Sequence, residues 1–203
     1  MLRILAVLAA SGAALMIFHV SGAPRVATAQ AQEVPSVNDI VQALKNRKTR
    51  GAAQATPATS HEIEDLKRIR KTRGWNLHDR ARLAKATEGL GQIDLVIYFA
   101  FNSAEIQKES EPVLHTLGQA LKSGDYKARV FVLAGHTDAK GNPEYNQSLS
   151  ERRAEAVKRY IVTNFKLSQE ELLTVGYGFE QLKDPQKPLS PVNRRVQVVN
   201  LAQ

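Results

Sequence analysis

The C-terminal half of this 203-residue chain predicts a two-layer α/β domain of the α+β kind, with helices laid against a mixed sheet. Three observations predict it. Two short, near-continuous apolar runs, at residues 95–101 and 130–134, have the length and composition of buried strands. Between them Val113, Leu114, Leu117, Ala120 and Leu121 recur at helical spacing. After them a second helical pattern leads into a short apolar segment and an alternating one.

Taken in order, residues 95–101 form the first core strand, residues 108–122 a helix, and residues 130–134 the second strand. A strand, helix, strand succession implies that the two strands run parallel. A second helix spans residues 146–164, with Leu149, Val157, Tyr160, Ile161 and Phe165 on its apolar stripe. A short strand at 173–177 and a last one at 194–201 complete the domain, which occupies residues 94–203 and is the expected folding unit.

Upstream, residues 1–31 have the three parts of a secretory signal: Arg3, an apolar stretch from Ile4 to Phe18, and small residues at Ala27, Ala29 and Ala31. The mature chain is expected to begin at Gln30 or Gln32, in the periplasm. The alternative is an uncleaved inner-membrane anchor, although Ser11, His19 and Pro24 interrupt the run well short of the roughly 20 apolar residues a span needs. Residues 32–93 read as a basic, low-complexity linker, largely disordered, with short helices. One helix starts at Ser60, where Thr59 and Glu62 offer caps, and stops at Gly74; another opens at Ser36-Val37-Asn38-Asp39. Lys48-Thr49-Arg50-Gly51 returns as Lys71-Thr72-Arg73-Gly74, as a duplicated basic element would.

The formal charge of +8 invites a nucleic-acid reading until it is divided along the chain. Residues 32–90 carry 12 Lys and Arg against 7 Asp and Glu, whereas residues 91–203 carry 14 against 13. The folded part is close to neutral, and with an export signal present nucleic acid is not an expected partner. An acidic envelope component remains a candidate partner for the basic segment.

The residues that carry chemistry converge on one rim. Arg153 lies four residues after Leu149 and four before Val157, so a guanidinium sits on the apolar face of the second helix. Burying it unpaired is expensive, which calls for a carboxylate or an anionic ligand. Asp138, just past the strand at 130–134, is the neighbour the topology supplies. That rim, beyond the carboxyl ends of the strands, is where open α/β sheets hold ligands. From the residues alone the pair reads either as an internal salt bridge or as a ligand clamp.

Five motifs then occur in order: Phe99-x-Phe101-x-Ser103-Ala104, Gly135-His136-Thr137-Asp138-x-x-Gly141, Tyr145-Asn146-x-x-Leu149-Ser150-x-x-Arg153-Ala154, Gly176-Tyr177-Gly178 and Asn193-Arg194-Arg195-Val196. In these the chain resembles the OmpA-like, peptidoglycan-binding domain family. The resemblance implies a βαβαββ fold and noncovalent binding of the diaminopimelate of peptidoglycan stem peptides, at the cell wall and outer envelope. It places the clamp at Asp138 and Arg153, a hydrogen bond to ligand at Asn146, apolar walls at Leu149 and Phe101, and Asn102 and Arg194 at the edge. Each has a plainer reading: Asn146 as a helix cap, Phe101 and Leu149 as core, Arg194 as an exposed strand residue. Asn102 stands where an aspartate is common in the family.

No catalysis is expected. The chain contains no cysteine and no Gly-x-Ser-x-Gly elbow, and Ser150 lies within the helix-start motif with no base at a telling offset. His136-x-Asp138 has no companion cluster to complete a metal site. No cofactor is implied, and the roughly sixty residues before the domain are too few for the eight strands, each about ten residues long, of the smallest membrane barrel.

Overall fold

The computed structural model describes residues 33–45, 59–123, 126 and 130–201. The expected signal segment and Lys48-Thr49-Arg50-Gly51 lie outside these. Within them, helices α1 (Val37–Lys45), α2 (Ser60–Thr72) and α3 (Leu77–Thr87) precede β1 (Gln92–Leu95), α4 (Glu111–Ser123), β2 (Phe131–Gly135), α5 (Pro143–Phe165), β3 (Leu172–Gly176) and β4 (Val196–Asn200). The sheet order is β1-β4-β2-β3. From β1 onward this is the expected βαβαββ succession in a mixed sheet.

The last strand inserts between the first two. β4 pairs antiparallel with both β1 and β2, while β2 and β3 form the parallel pair across α5. β1 and β2 therefore run the same way, as expected, but with β4 between them.

Alternation along the strands splits the core in two. Phe131, Leu133, Leu172, Val196 and Val198 face α4 and α5, packing with Leu114, Leu117, Leu121, Val157 and Ile161, and α1 adds Ile40 and Leu44 to the same cluster. Val132, Ala134, Leu173, Val175, Tyr177 and Val199 face the other way, onto Ile63, Leu66, Leu83 and Leu90. The two-layer expectation is thus corrected: α2 and α3 build a third layer. Bare apolar strand faces on both sides of the sheet require it, because a sheet buried on one side only would alternate with polar residues.

The described parts of the segment read as linker are likewise helical and carry core residues. Ser36 and Asp39 cap α1 reciprocally, with the Asp39 carboxylate accepting from the Ser36 amide at 3.0 Å and the Ser36 hydroxyl accepting from the Asp39 amide at 3.2 Å. Thr59 caps α2 as expected, and the helix ends at Arg73 before Gly74, whose φ of +73° needs no side chain. The second basic repeat is therefore a helix C-terminus. α3 was not predicted, since little of its surface is apolar; its start is an Asn76–Asp79 capping box. The helical pair is fastened to the edge strand β3. The Trp75 indole donates to the Thr174 carbonyl at 2.6 Å and Arg70 donates to the Thr174 hydroxyl at 3.1 Å. An edge carbonyl that would face solvent is thereby covered.

Residues 96–101 do not continue β1 as the apolar run implied. Asn102 turns into the left-handed region at φ +53°, and the chain doubles back so that Gln107 donates to the Tyr98 carbonyl at 3.0 Å and Ala100 to the Glu105 carbonyl at 2.9 Å. Phe101 sits at the tip of this turn and is 93% exposed, so it is not core.

Candidate functional site

The rim is assembled by strand register. Gly135 of β2 stands opposite Val196 of β4, and the His136 amide donates to the Arg195 carbonyl at 3.0 Å, one step further out. Extending that antiparallel ladder brings Arg194 alongside the loop that holds Asp138. The chain then turns at Gly141 (φ +99°) into α5, where the Asn142 side chain accepts from the Tyr145 amide and Pro143 occupies the first turn.

Gly135 and Gly176 let α5 lie directly on β2 and β3. A Cβ at Gly135 would overlap the Ser150 carbonyl, and one at Gly176 would stand 2.5 Å from the Glu151 amide nitrogen. Ser150 is fully buried; its hydroxyl donates to the Gln147 carbonyl at 2.8 Å and accepts from the Gly178 amide at 2.9 Å. It ties helix to strand.

Asp138 and Arg153 reach the same rim but do not form an ion pair. The Asp138 carboxylate pairs with Arg194 at 2.7 Å through one oxygen and accepts from the Lys140 amide at 3.2 Å through the other. Arg153 donates its Nε to the Ser103 carbonyl at 3.1 Å and lies over the Phe99 ring, 4.9 Å from its centroid. Its two terminal nitrogens have no hydrogen-bond partner among the described residues. Burial depresses the Arg153 pKa from its ordinary value; the charge of Arg194 adds to this, while Tyr145 and Asp138 oppose it. The rim thus holds a partly desolvated guanidinium whose terminal donors have no partner among the described residues, with the charges of a carboxylate and a second guanidinium acting on it.

The other expected site residues divide. Asn146 is buried and does not cap α5; its Nδ2 donates to the Lys140 carbonyl at 2.8 Å and shapes the loop behind Asp138. Leu149 is buried beneath Arg153's turn of α5. Asn102 contributes its backbone, accepting from the Tyr145 hydroxyl at 3.4 Å. Phe101 stands free at the lip, and Arg194 lies before β4 rather than within it. Sequence reasoning missed Phe99, Ser103 and Tyr145, although all three fall within the motifs quoted and an arginine on an apolar stripe implies a nearby ring or carbonyl.

His136 is buried against Tyr177, ring centroids 5.5 Å apart, and neither ring nitrogen has a hydrogen-bond partner among the described residues. Burial, reinforced by Arg195, holds its pKa down at about 3. It is a neutral packing group. A separate cleft of about 860 Å³ lies between α2, α5 and β3, lined in part by Lys67, Arg70, Lys71, Glu155 and Lys158. Much of its charge is internally matched: Lys67 pairs with Glu64, and Arg70 with Glu151 and Glu155.

The OmpA family profile matches residues 98–195. Over 84 residues the chain is 39% identical to the peptidoglycan-associated lipoprotein of Pseudomonas aeruginosa, covering 41% of this chain and 48% of that protein. It is 40% identical over 84 residues to outer membrane protein A of Buchnera aphidicola, covering 41% of this chain and 24% of that protein. The crystal structure of the peptidoglycan-associated lipoprotein from Burkholderia pseudomallei aligns at 31% identity over 51% of this chain and 86% of that chain, with a TM-score of 0.42. Through this domain the chain belongs to the OmpA family. It spans from about a quarter to about half the length of these two curated relatives.

Proposed function

We propose that this protein is a non-catalytic anchor of the cell envelope that binds peptidoglycan noncovalently at the Asp138–Arg153 rim, taking the diaminopimelate of the stem peptide. The observation that carries the reading is the state of Arg153: half-buried, seated on Phe99, and without a partner for its terminal nitrogens among the described residues. A structural salt bridge would have satisfied it. The free end of diaminopimelate carries a carboxylate and an ammonium on one carbon. Arg153 takes the carboxylate in a forked, charge-assisted pair, and Asp138 takes the ammonium. A carboxylate accepts about four hydrogen bonds, so Asp138 retains acceptor capacity beside Arg194 and the Lys140 amide. Family membership and the names of the relatives support peptidoglycan as the target.

The reading extends to location: residues 1–31 export the chain to the periplasm, and the wall grip holds it there. An acidic partner for the basic segment is less favoured, because Lys67, Arg68, Arg70, Arg73, Arg80 and Arg82 all form ion pairs within the fold. Co-sedimentation with purified peptidoglycan tests the function. The protein is expected in the pellet, competed off by free diaminopimelate; a soluble protein at every peptidoglycan concentration refutes the proposal.

A further inference from the structure

Seven large apolar side chains are exposed among the described residues, and four of them stand at this rim: Phe101, Tyr145, Leu189 and Val192. They fall on two sides. Phe101 and Tyr145 belong to the lip beside Arg153, where the Tyr145 hydroxyl donates to the Asn102 carbonyl and Ser103 receives Arg153. Leu189 and Val192 belong to the lip beside Asp138, where the Ala139 amide donates to the Pro188 carbonyl at 3.0 Å and Arg194 reaches Asp138.

Neither lip is loose. Asn193 is fully buried, accepting from the Asp184 amide at 2.9 Å and donating to the Lys187 carbonyl at 3.0 Å, so the backbone carrying Leu189 and Val192 is fixed. Leu189 remains 62% exposed and Val192 46%. Apolar groups held rigidly in water on either side of a polar centre mark a contact surface rather than a packing fault.

We infer that Leu189 and Val192 on one lip and Phe101 and Tyr145 on the other form an apolar collar that grips the peptide arms of the ligand whose zwitterionic end sits between Asp138 and Arg153. This deepens the peptidoglycan reading and rests on it. In a stem peptide the zwitterionic end of diaminopimelate is joined by a short methylene spacer to the carbon in the peptide chain, from which methyl-bearing and methylene-rich arms run both ways. Those arms leave the clamp where the two lips stand, and burying their apolar groups adds affinity that free diaminopimelate cannot collect.

The test titrates the full chain with two probes: free diaminopimelate, and a synthetic stem tetrapeptide in which diaminopimelate is flanked by γ-linked glutamate and alanine. Wild type is expected to bind the tetrapeptide about tenfold or more tightly, the margin expected from burying two or more methylene-sized groups. Leu189→Ser with Val192→Ser should lose that margin while binding free diaminopimelate as wild type does; both side chains are exposed, so folding is preserved. Equal affinity of wild type for the two probes, or a margin that survives in this variant, overturns the collar and leaves the clamp standing. Binding of neither probe overturns the clamp itself, and the collar with it.

Discussion

Asp138 pairs with Arg194 and not with Arg153, at 2.7 Å and across 56 residues of sequence. That one relationship separates the two readings of the rim. With its carboxylate already engaged, Asp138 does not neutralise Arg153 by contact, and the terminal nitrogens of the helix arginine have no partner among the described residues.

Asp138→Ala should weaken peptidoglycan binding by more than tenfold, since losing one member of a hydrogen-bonded charge pair with ligand costs about 2–5 kcal/mol. Arg152→Ala serves as the control: Arg152 is exposed and reaches the Ser148 hydroxyl at 2.6 Å, one step around α5 from the rim. Pull-down on purified peptidoglycan reads both, and an Asp138→Ala protein that is folded and retained like wild type would remove Asp138 from the site.

Arg194→Ala should barely move the melting temperature. Its side chain is 47% exposed in the pair with Asp138, and ion pairs of that kind are worth about 0–1 kcal/mol. Thermal denaturation should show a shift of a few degrees at most; a large drop would mean that the pair holds the loop and that the rim is structural after all.

The N-terminal helices should prove integral to the domain. Leu66→Ala, at a fully buried site against the sheet, should cost about 2–5 kcal/mol, and a fragment of residues 92–203 should melt less cooperatively than the full chain and bind hydrophobic dyes. Without α2 and α3, Val132, Val175, Tyr177 and Val199 lose their cover. Equal melting of fragment and full chain would return those helices to the status of a tether.

Stability should fall with acid below neutrality through His136. Its folded pKa of about 3 lies below the ordinary value of 6.5, so the unfolded chain binds the proton that the folded chain refuses. The stability is fully present above pH 6.5 and is lost as pH falls from there toward 3, with a slope of at most about 1.4 kcal/mol per pH unit for one proton. Asp94, held low through Lys183 and Arg195 despite its burial, adds a loss in the same direction as pH falls through the carboxylate range. Replacing His136 by glutamine should flatten the melting temperature between pH 6.5 and 4.5 relative to wild type; an unchanged slope would assign the acid sensitivity elsewhere.

These features differ in how much of them is legible in sequence, for physical reasons. Arg153 shows itself through helical periodicity, and Gly135 and Gly176 stand in the motifs because close helix packing admits no Cβ. The Asp138–Arg194 pair does not show, because it depends on β4 entering between β1 and β2, a long-range register that no local pattern encodes. α3 escapes apolar periodicity because, besides Leu83, its buried residues include Asp79 and Thr87; its capping box was the available signal. Phe101 reads as strand core because an apolar run carries no mark of the left-handed turn at Asn102 that ends it.

The central claim is that Arg153 is a ligand group rather than a structural one, and calorimetric titration of free diaminopimelate into wild type and Arg153→Ala, with the melting temperature of each, tests it most directly. Saturable binding to wild type that raises its melting temperature, together with a folded Arg153→Ala protein that gives no heat and no shift, is the predicted result. Wild-type heats from Arg153→Ala, or a variant that unfolds while wild type ignores the ligand, would contradict it.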